Sequence, residues 1–367
     1  MAAALRDELS GKLLDQLLSW SSQEQARWMA DLRRLAAYKY DRYEGFAAGE
    51  RFFESLAGWL GQFPDPDARR RLTSFVRSEL VFVSRDEINH VIACAYPDFI
   101  RPMLIKRVGD ETSTSRFRVH AITSSRAFRS LRRKTLYLGL SDGARLDRLR
   151  RSNPELSHEQ FWLSPELGDL AISSMRTRLG EAITEQDLED DPSFREVVFV
   201  DDFYESGFSL LHPTDETGWG GKLARARDHV DTVLSKGPTA LLAGDARITV
   251  VVYLASAQAK AYMSSILHQF DATWHLLVVQ TLPDDLPVSG LEMINLCEWF
   301  FDDALIDKHK PNRVPLGYQS AALPLILEHN TPNNSISLLW ADTSAQANSK
   351  QRHALFPRYE RHHQDRP

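Results

Sequence analysis

The chain has 367 residues, 43% hydrophobic and 26% charged, with a net charge of −6, an ordinary soluble globular composition that predicts roughly two domains. Its two cysteines, Cys94 and Cys297, lie far from each other in sequence and fit no metal-ligand spacing, so nothing points to a disulfide framework. No apolar run approaches the roughly 20 residues that cross a bilayer, and the opening residues gain acids at once without a signal-peptide core. A cytoplasmic protein in a reducing compartment, with no membrane partner, is expected.

The first segment, to about residue 63, is predicted helical. Leu5, Leu9, Leu13, Leu14, Leu17 and Leu18 recur at helical spacing. Trp28, Met29, Leu32, Leu35 and Ala36 mark a second helix, and a third pattern over 46–60 carries Phe52, Phe53 and Trp59. Phe63-Pro64-Asp65-Pro66-Asp67 breaks the pattern and is the best linker candidate. Helical patterns continue over 68–107, interrupted by an apolar stretch at 80–83 that reads as a wing-like strand. Ser84, followed by Asp86 and Glu87, reads as a helix start. Residues 1–110 are therefore expected to form a helical N-terminal module.

Beyond it, apolar strands alternate with helices. Strands are predicted at 135–140, 197–200, 248–254, 274–279 and 323–327, the last closing the sheet. Ser164-Pro165-Glu166 is predicted to open a helix, with a hydroxyl cap, Pro in the first turn and an acid near the positive end of the dipole. Further helices are expected over 222–234 and 255–270. The alternation predicts an α/β domain over 111–343, with a doubly wound, mainly parallel sheet. Residues 344–367 are expected to form a loose polar tail.

Between Arg101 and Arg151, arginines and lysines far outnumber the acids Asp110, Glu111, Asp142 and Asp147. That excess favours an anionic ligand, a phosphate or nucleic acid; a solvated basic face is the alternative.

Three constellations carry candidate chemistry. The apolar run at 197–200 ends in Asp201 and Asp202, and a loop with Ser206, Gly207 and Ser209 follows. Ligands of open α/β sheets bind outside the carboxyl ends of the strands. The acids are thus placed to hold sugar hydroxyls or a hydrated metal ion, and the loop to present amides and hydroxyls to a phosphate, helped by a following helix N-terminus. Lys222 follows that loop closely. The second constellation is Ser141, Asp142, Gly143 and Arg145 after the 135–140 strand, where Gly143 permits a positive φ or a close backbone approach and Arg145 offers forked donors. The third, His329, Asn330 and Asn333, sits in a polar turn after the last strand. Each also fits an ordinary turn or cap. Neither H-E-x-x-H nor G-x-S-x-G occurs.

The 197–209 pattern resembles the signature of type I phosphoribosyltransferases, except that Glu205 stands where a small residue is usual and Phe208 where Thr is usual. In wider compass the chain resembles the PRTase-CE family, phosphoribosyltransferase-like proteins of bacterial anti-phage systems. The resemblance rests on the 138–145 segment with Asp147, on the 198–203 segment with Ser206-Gly207, on Gly221-Lys222-Leu223 and on the 329–334 turn. To these it adds Leu338-Leu339-Trp340 and Leu355-Phe356-Pro357-Arg358.

The resemblance implies a transferase-like fold and a defence context with partner proteins. Asp201 and Asp202 would then hold ribose hydroxyls and, indirectly, Mg²⁺, while Ser206, Gly207, Ser209 and Lys222 take the 5′-phosphate. Ser141, Asp142, Gly143 and Arg145 would form the pyrophosphate loop, and His329, Asn330 and Asn333 the second-substrate pocket. Three readings stand: a phosphoribosyltransferase-like effector or sensor, a non-catalytic nucleotide-sensing regulator, and a nucleic-acid-binding component using the 101–151 segment.

Overall fold

The computed structural model describes residues 2–164, 167–185, 191–214, 218–235, 240–301, 314–342 and 352–358. Its first helices are α1 (Ala2–Leu18), α2 (Ser22–Tyr38), α3 (Phe52–Gly61) and α4 (Pro66–Ser78). A capping box starts α2: Ser21 Oγ accepts from the Glu24 amide at 3.3 Å, and the Glu24 carboxylate accepts from the Ser21 amide at 3.0 Å. The expected linker at 63–67 is instead a helix start. Phe63 is buried, and Asp65 caps α4 through the Asp67 and Ala68 amides, with Pro66 opening the helix. Strand β1 (Val81–Val83) follows, then α5 (Arg85–Cys94), which begins as predicted with reciprocal Ser84–Glu87 hydrogen bonds.

Helices α6 (Arg101–Glu111), α7 (Val119–Thr123) and α8 (Arg126–Arg133) lead into β2 (Thr135–Gly139) and α9 (Leu146–Arg151). Next come β3 (Phe161–Trp162), α10 (Asp169–Glu185), β4 (Phe194–Tyr204) and a hairpin of β5 (His212–Thr214) and β6 (Gly218–Gly220). Then α11 (Lys222–His229), β7 (Leu242–Ser256), α12 (Ala257–Phe270) and β8 (His275–Leu282) precede α13 (Leu291–Phe300), β9 (Leu325–Leu327) and α14 (Ser337–Trp340). The helix expected to open at Ser164 begins at Asp169, and Pro165 and Glu166 lie outside the described residues.

The chain divides into two compact units, Met1–Glu87 with Asp285–Pro367, and Ile88–Asp284. The expected boundaries at 110 and 343 do not coincide with these breaks. The second unit holds a five-stranded sheet in the order β3-β2-β4-β7-β8, parallel throughout. From β2 the chain moves to one side to make β3, then crosses over to β4 on the other. The β2–β4 pair is therefore the topological switch point, where loops diverge and leave a crevice at the strand ends. Val197, Val198, Phe199 and Val200 are fully buried at the sheet centre, as a strand covered on both faces requires.

In the first unit β1 and β9 pair in parallel, with Phe82 opposite Ile326. The 323–327 stretch thus does not close the main sheet, because an apolar strand reads alike whichever partner it finds. Its surroundings are the helical core: Trp59 Nε1 donates to the Leu338 carbonyl at 2.8 Å, and Ser55 Oγ to the Leu355 carbonyl at 2.7 Å. Nor is the expected tail loose at 352–358. Phe356 is fully buried, and its ring centroid lies 5.2–6.0 Å from those of Tyr40, Tyr43, Phe46, Phe52 and Phe82.

Candidate functional site

Strand β2 stops at Gly139, opposite Val200, whereas β4 and β7 stay paired through Tyr204 and Ala255. Asp201 and Asp202 therefore lie within an extended strand rather than in the turn after it, beside the point where β2 gives way to its loop. Ser141 to Arg145 fill that gap with a tight turn, Asp142–Ala144, in which the Ala144 carbonyl accepts from Tyr253 Oη at 2.9 Å. Arg145 adopts the left-handed conformation (φ 42°), uncommon for a residue with a Cβ. Gly143 serves by closeness rather than by positive φ: a Cβ there would sit 2.1 Å from Asp202 Oδ2. The turn after β2 and the acid pair of β4 are thus one construction.

Asp201 is wholly buried. One carboxylate oxygen accepts from Ser141 Oγ and from the Asp202 amide at 3.1 Å; the other accepts from Tyr204 Oη and from Lys222 Nζ at 2.5 Å. A carboxylate offers about four acceptor positions, and the protein fills all of them. Asp202 is half-buried, and burial together with the Asp201 charge raises its carboxyl above the usual range.

The PRTase-CE family profile matches residues 56–358. The chain belongs to the PRTase-CE family. No curated protein and no solved structure matches it. As a family member it is a phosphoribosyltransferase-like protein, and the five-stranded parallel sheet is consistent with that fold.

The loop after β4 in this PRTase-CE protein is held by its own backbone and by α12. The Leu210 and Leu211 amides donate to the Gly207 carbonyl at 3.0 and 3.2 Å, and the Phe208 amide to Ser206 Oγ at 3.4 Å. Gly207 has φ +72°, and a Cβ on it would strike Met263 at 2.5 Å, so only glycine seats this turn on α12. The amides of Ser206, Gly207 and Ser209 donate to no acceptor among the described residues. The helix N-terminus expected to assist is occupied: the Lys222 and Leu223 amides at the start of α11 donate to the Ser209 and Leu210 carbonyls. The contribution of α11 is the Lys222 ammonium, which has three donors and among the described residues gives one of them to Asp201.

Glu205 begins this loop and is 4% exposed. Burial pushes its carboxyl up to about 7, and Oε2 has no hydrogen-bond partner among the described residues. A group in this state is largely neutral below pH 7, so the acid that stands where a small residue is usual brings little negative charge to the loop there.

Mg²⁺ does not suit Asp201, since both carboxylate oxygens already serve four protein donors, one a cation. Among the described residues, no group of three or more His, Cys, Asp or Glu side chains is placed to hold a metal ion.

The remaining expected residues divide. Ser141, Asp142, Gly143, Arg145, Asp201, Asp202, Ser206, Gly207, Ser209 and Lys222 share the Ile88–Asp284 unit, whereas His329, Asn330 and Asn333 belong to the other. Their turn is tied into its own core: the Thr331 amide donates to Tyr43 Oη at 3.1 Å, and Thr331 Oγ1 to the Phe356 carbonyl at 3.1 Å. The basic segment is partly internal. Arg107 is buried and pairs with Glu196 (2.7 Å), Glu111 (2.9 Å) and Asp245 (3.0 Å) near the start of β4; Arg133 pairs with Glu159, and Lys134 is buried. Arg116, Arg118, Arg126, Arg129, Arg148 and Arg151 are exposed. Among the described residues no helix is long and apolar enough to cross a membrane.

Sequence reasoning missed Tyr204 and Tyr253, which fasten the acid pair and the turn. Their aromatic character reads as core, and only the fold shows each hydroxyl at the crevice.

Proposed function

We propose that this PRTase-CE protein is a non-catalytic sensor that binds a ribose phosphate at the β2–β4 crevice. The phosphate is taken by the amides of Ser206, Gly207 and Ser209, by the Ser206 and Ser209 hydroxyls and by Lys222; the half-buried Asp202 meets the sugar hydroxyls. The observation that carries this reading is the saturation of Asp201. A phosphoribosyl transfer needs an acid pair free to hold the ribose and a hydrated cation while pyrophosphate departs. Here one acid of the pair is committed to Lys222, Tyr204 and Ser141. Binding needs only the loop amides and hydroxyls, the ammonium and the second acid. The anti-phage setting rests on family membership alone.

Calorimetric titration of ribose 5-phosphate into the full chain tests the binding, and the Ser206→Ala, Ser209→Ala double variant should lose about tenfold in affinity, the value of one to two hydrogen bonds. Incubation with phosphoribosyl pyrophosphate, Mg²⁺ and a panel of bases and nucleotides should release no pyrophosphate above a protein-free control. Steady pyrophosphate release would overturn the sensor reading, and absence of ribose 5-phosphate binding would overturn the site.

A further inference from the structure

Phe208 departs from the usual Thr of the phosphate loop, and the structure gives it a definite placement. It is 39% exposed although it is a large apolar residue, and it does not join the sheet core. Its ring stacks on the His212 imidazole, with centroids 4.3 Å apart and planes 10° from parallel. Three features fix this pair. The Phe208 carbonyl lies 2.8 Å from His212 Nδ1, and because a carbonyl only accepts, Nδ1 carries the proton. The Phe208 amide is tethered to Ser206 Oγ. The β5–β6 ladder sets His212 opposite Gly220, where a Cβ would lie 2.6 Å from His212 Nε2, so the imidazole occupies space that only glycine leaves.

A single exposed phenylalanine needs no explanation. A phenylalanine that is exposed, backed on one ring face by an imidazole held in one tautomer, and located between the proposed phosphate-binding amides of Gly207 and Ser209 is a platform. Aromatic rings bind nucleobases by stacking, and the contact accepts any base because each has a π-face. We infer that Phe208, backed by His212, stacks a nucleobase, so that the ligand of this site is a nucleotide rather than a bare sugar phosphate. The inference rests on the phosphate-binding reading of the 206–209 loop and adds the chemical class of the ligand to it. The shared chemistry is a base linked through ribose to phosphate, whether the phosphate is terminal or part of a pyrophosphate bridge.

The test titrates adenosine 5′-monophosphate, adenosine diphosphate ribose and ribose 5-phosphate into the full chain and follows their affinity ratios. One stacked base should make the better of the two nucleotides about 5- to 100-fold tighter than ribose 5-phosphate. Whichever nucleotide shows the gain identifies the phosphate linkage. In Phe208→Ala that ratio should collapse towards one, and in Phe208→Trp, which keeps an aromatic face, it should persist. Residual ribose 5-phosphate binding by Phe208→Ala reports that the variant is folded. A wild-type ratio near one, or a ratio unchanged in Phe208→Ala, overturns the platform while leaving the phosphate site standing. Failure of all three compounds to bind the wild type overturns both.

Discussion

Replacing Lys222 by Met removes the ammonium that lies 2.5 Å from Asp201 Oδ2 while keeping most of the aliphatic bulk. The Asp201 side chain is wholly buried and that of Lys222 is 24% exposed, so the pair is shielded on one side and partly wet on the other. Breaking a buried pair by removing one partner typically costs about 3–5 kcal/mol, because the remaining charge is left uncompensated. Two features place this case at the low end: the partial exposure of Lys222, and the three donors that Asp201 retains in Tyr204, Ser141 and the Asp202 amide. The expected loss is about 3 kcal/mol, which for a unit of this size lowers the melting temperature by about 6–12 °C. Urea unfolding by circular dichroism measures the free energy, and Asp201→Asn in the Lys222→Met background supplies the control. With the charge gone from the buried site, the double variant should recover at least about 1 kcal/mol relative to Lys222→Met. Should Lys222→Met unfold within about 0.5 kcal/mol of wild type, the ordinary range for surface substitutions, the committed Lys222–Asp201 pair would be refuted.

Glu205, pushed up to about 7 by burial, holds its proton more tightly folded than unfolded, so stability falls as pH rises from the ordinary carboxylate range through 7. In Glu205→Gln that loss should vanish, and the stability gap between variant and wild type should widen by about 2–3 kcal/mol between pH 5 and 8; parallel urea-unfolding curves across that range would contradict it. Gly143→Ala places a Cβ 2.1 Å from Asp202 Oδ2 and forces the β2 turn off the acid pair, so ribose 5-phosphate affinity should fall at least tenfold, an effect of about 1.4 kcal/mol, while the melting temperature changes by only a few degrees. Phe356→Ala empties the centre of an aromatic cluster in the helical unit and should cost about 3–5 kcal/mol of unfolding free energy. A cost below 1 kcal/mol would show the 352–358 segment to be dispensable to that core.

What the sequence determined by itself is local. Val197 to Val200 read as a buried strand, since four apolar residues in succession, three of them β-branched valines, leave no polar face for water and favour extended backbone. Ser84 with Glu87 announced a helix start because its cap is satisfied within one turn of chain. The nearness of Asp201 and Ser141 was legible in outline, because strand ends in a parallel sheet gather at one edge, and that of Lys222 because it follows the Asp201 loop closely in the chain. Partners distant in sequence were decided by the tertiary structure. The 325–327 stretch carries no mark of whether it pairs with Val81–Val83 or with the main sheet, for its apolar side chains suit either. Leu355 and Phe356 look like part of a polar tail, yet the aromatic cavity between α3 and β1 is where their burial gains most. Asp201 and Asp202 are chemically alike and adjacent, and no rule of spacing distinguishes them. Only the fold, by bringing a tyrosine, a lysine and a serine to Asp201, shows how that acid is held.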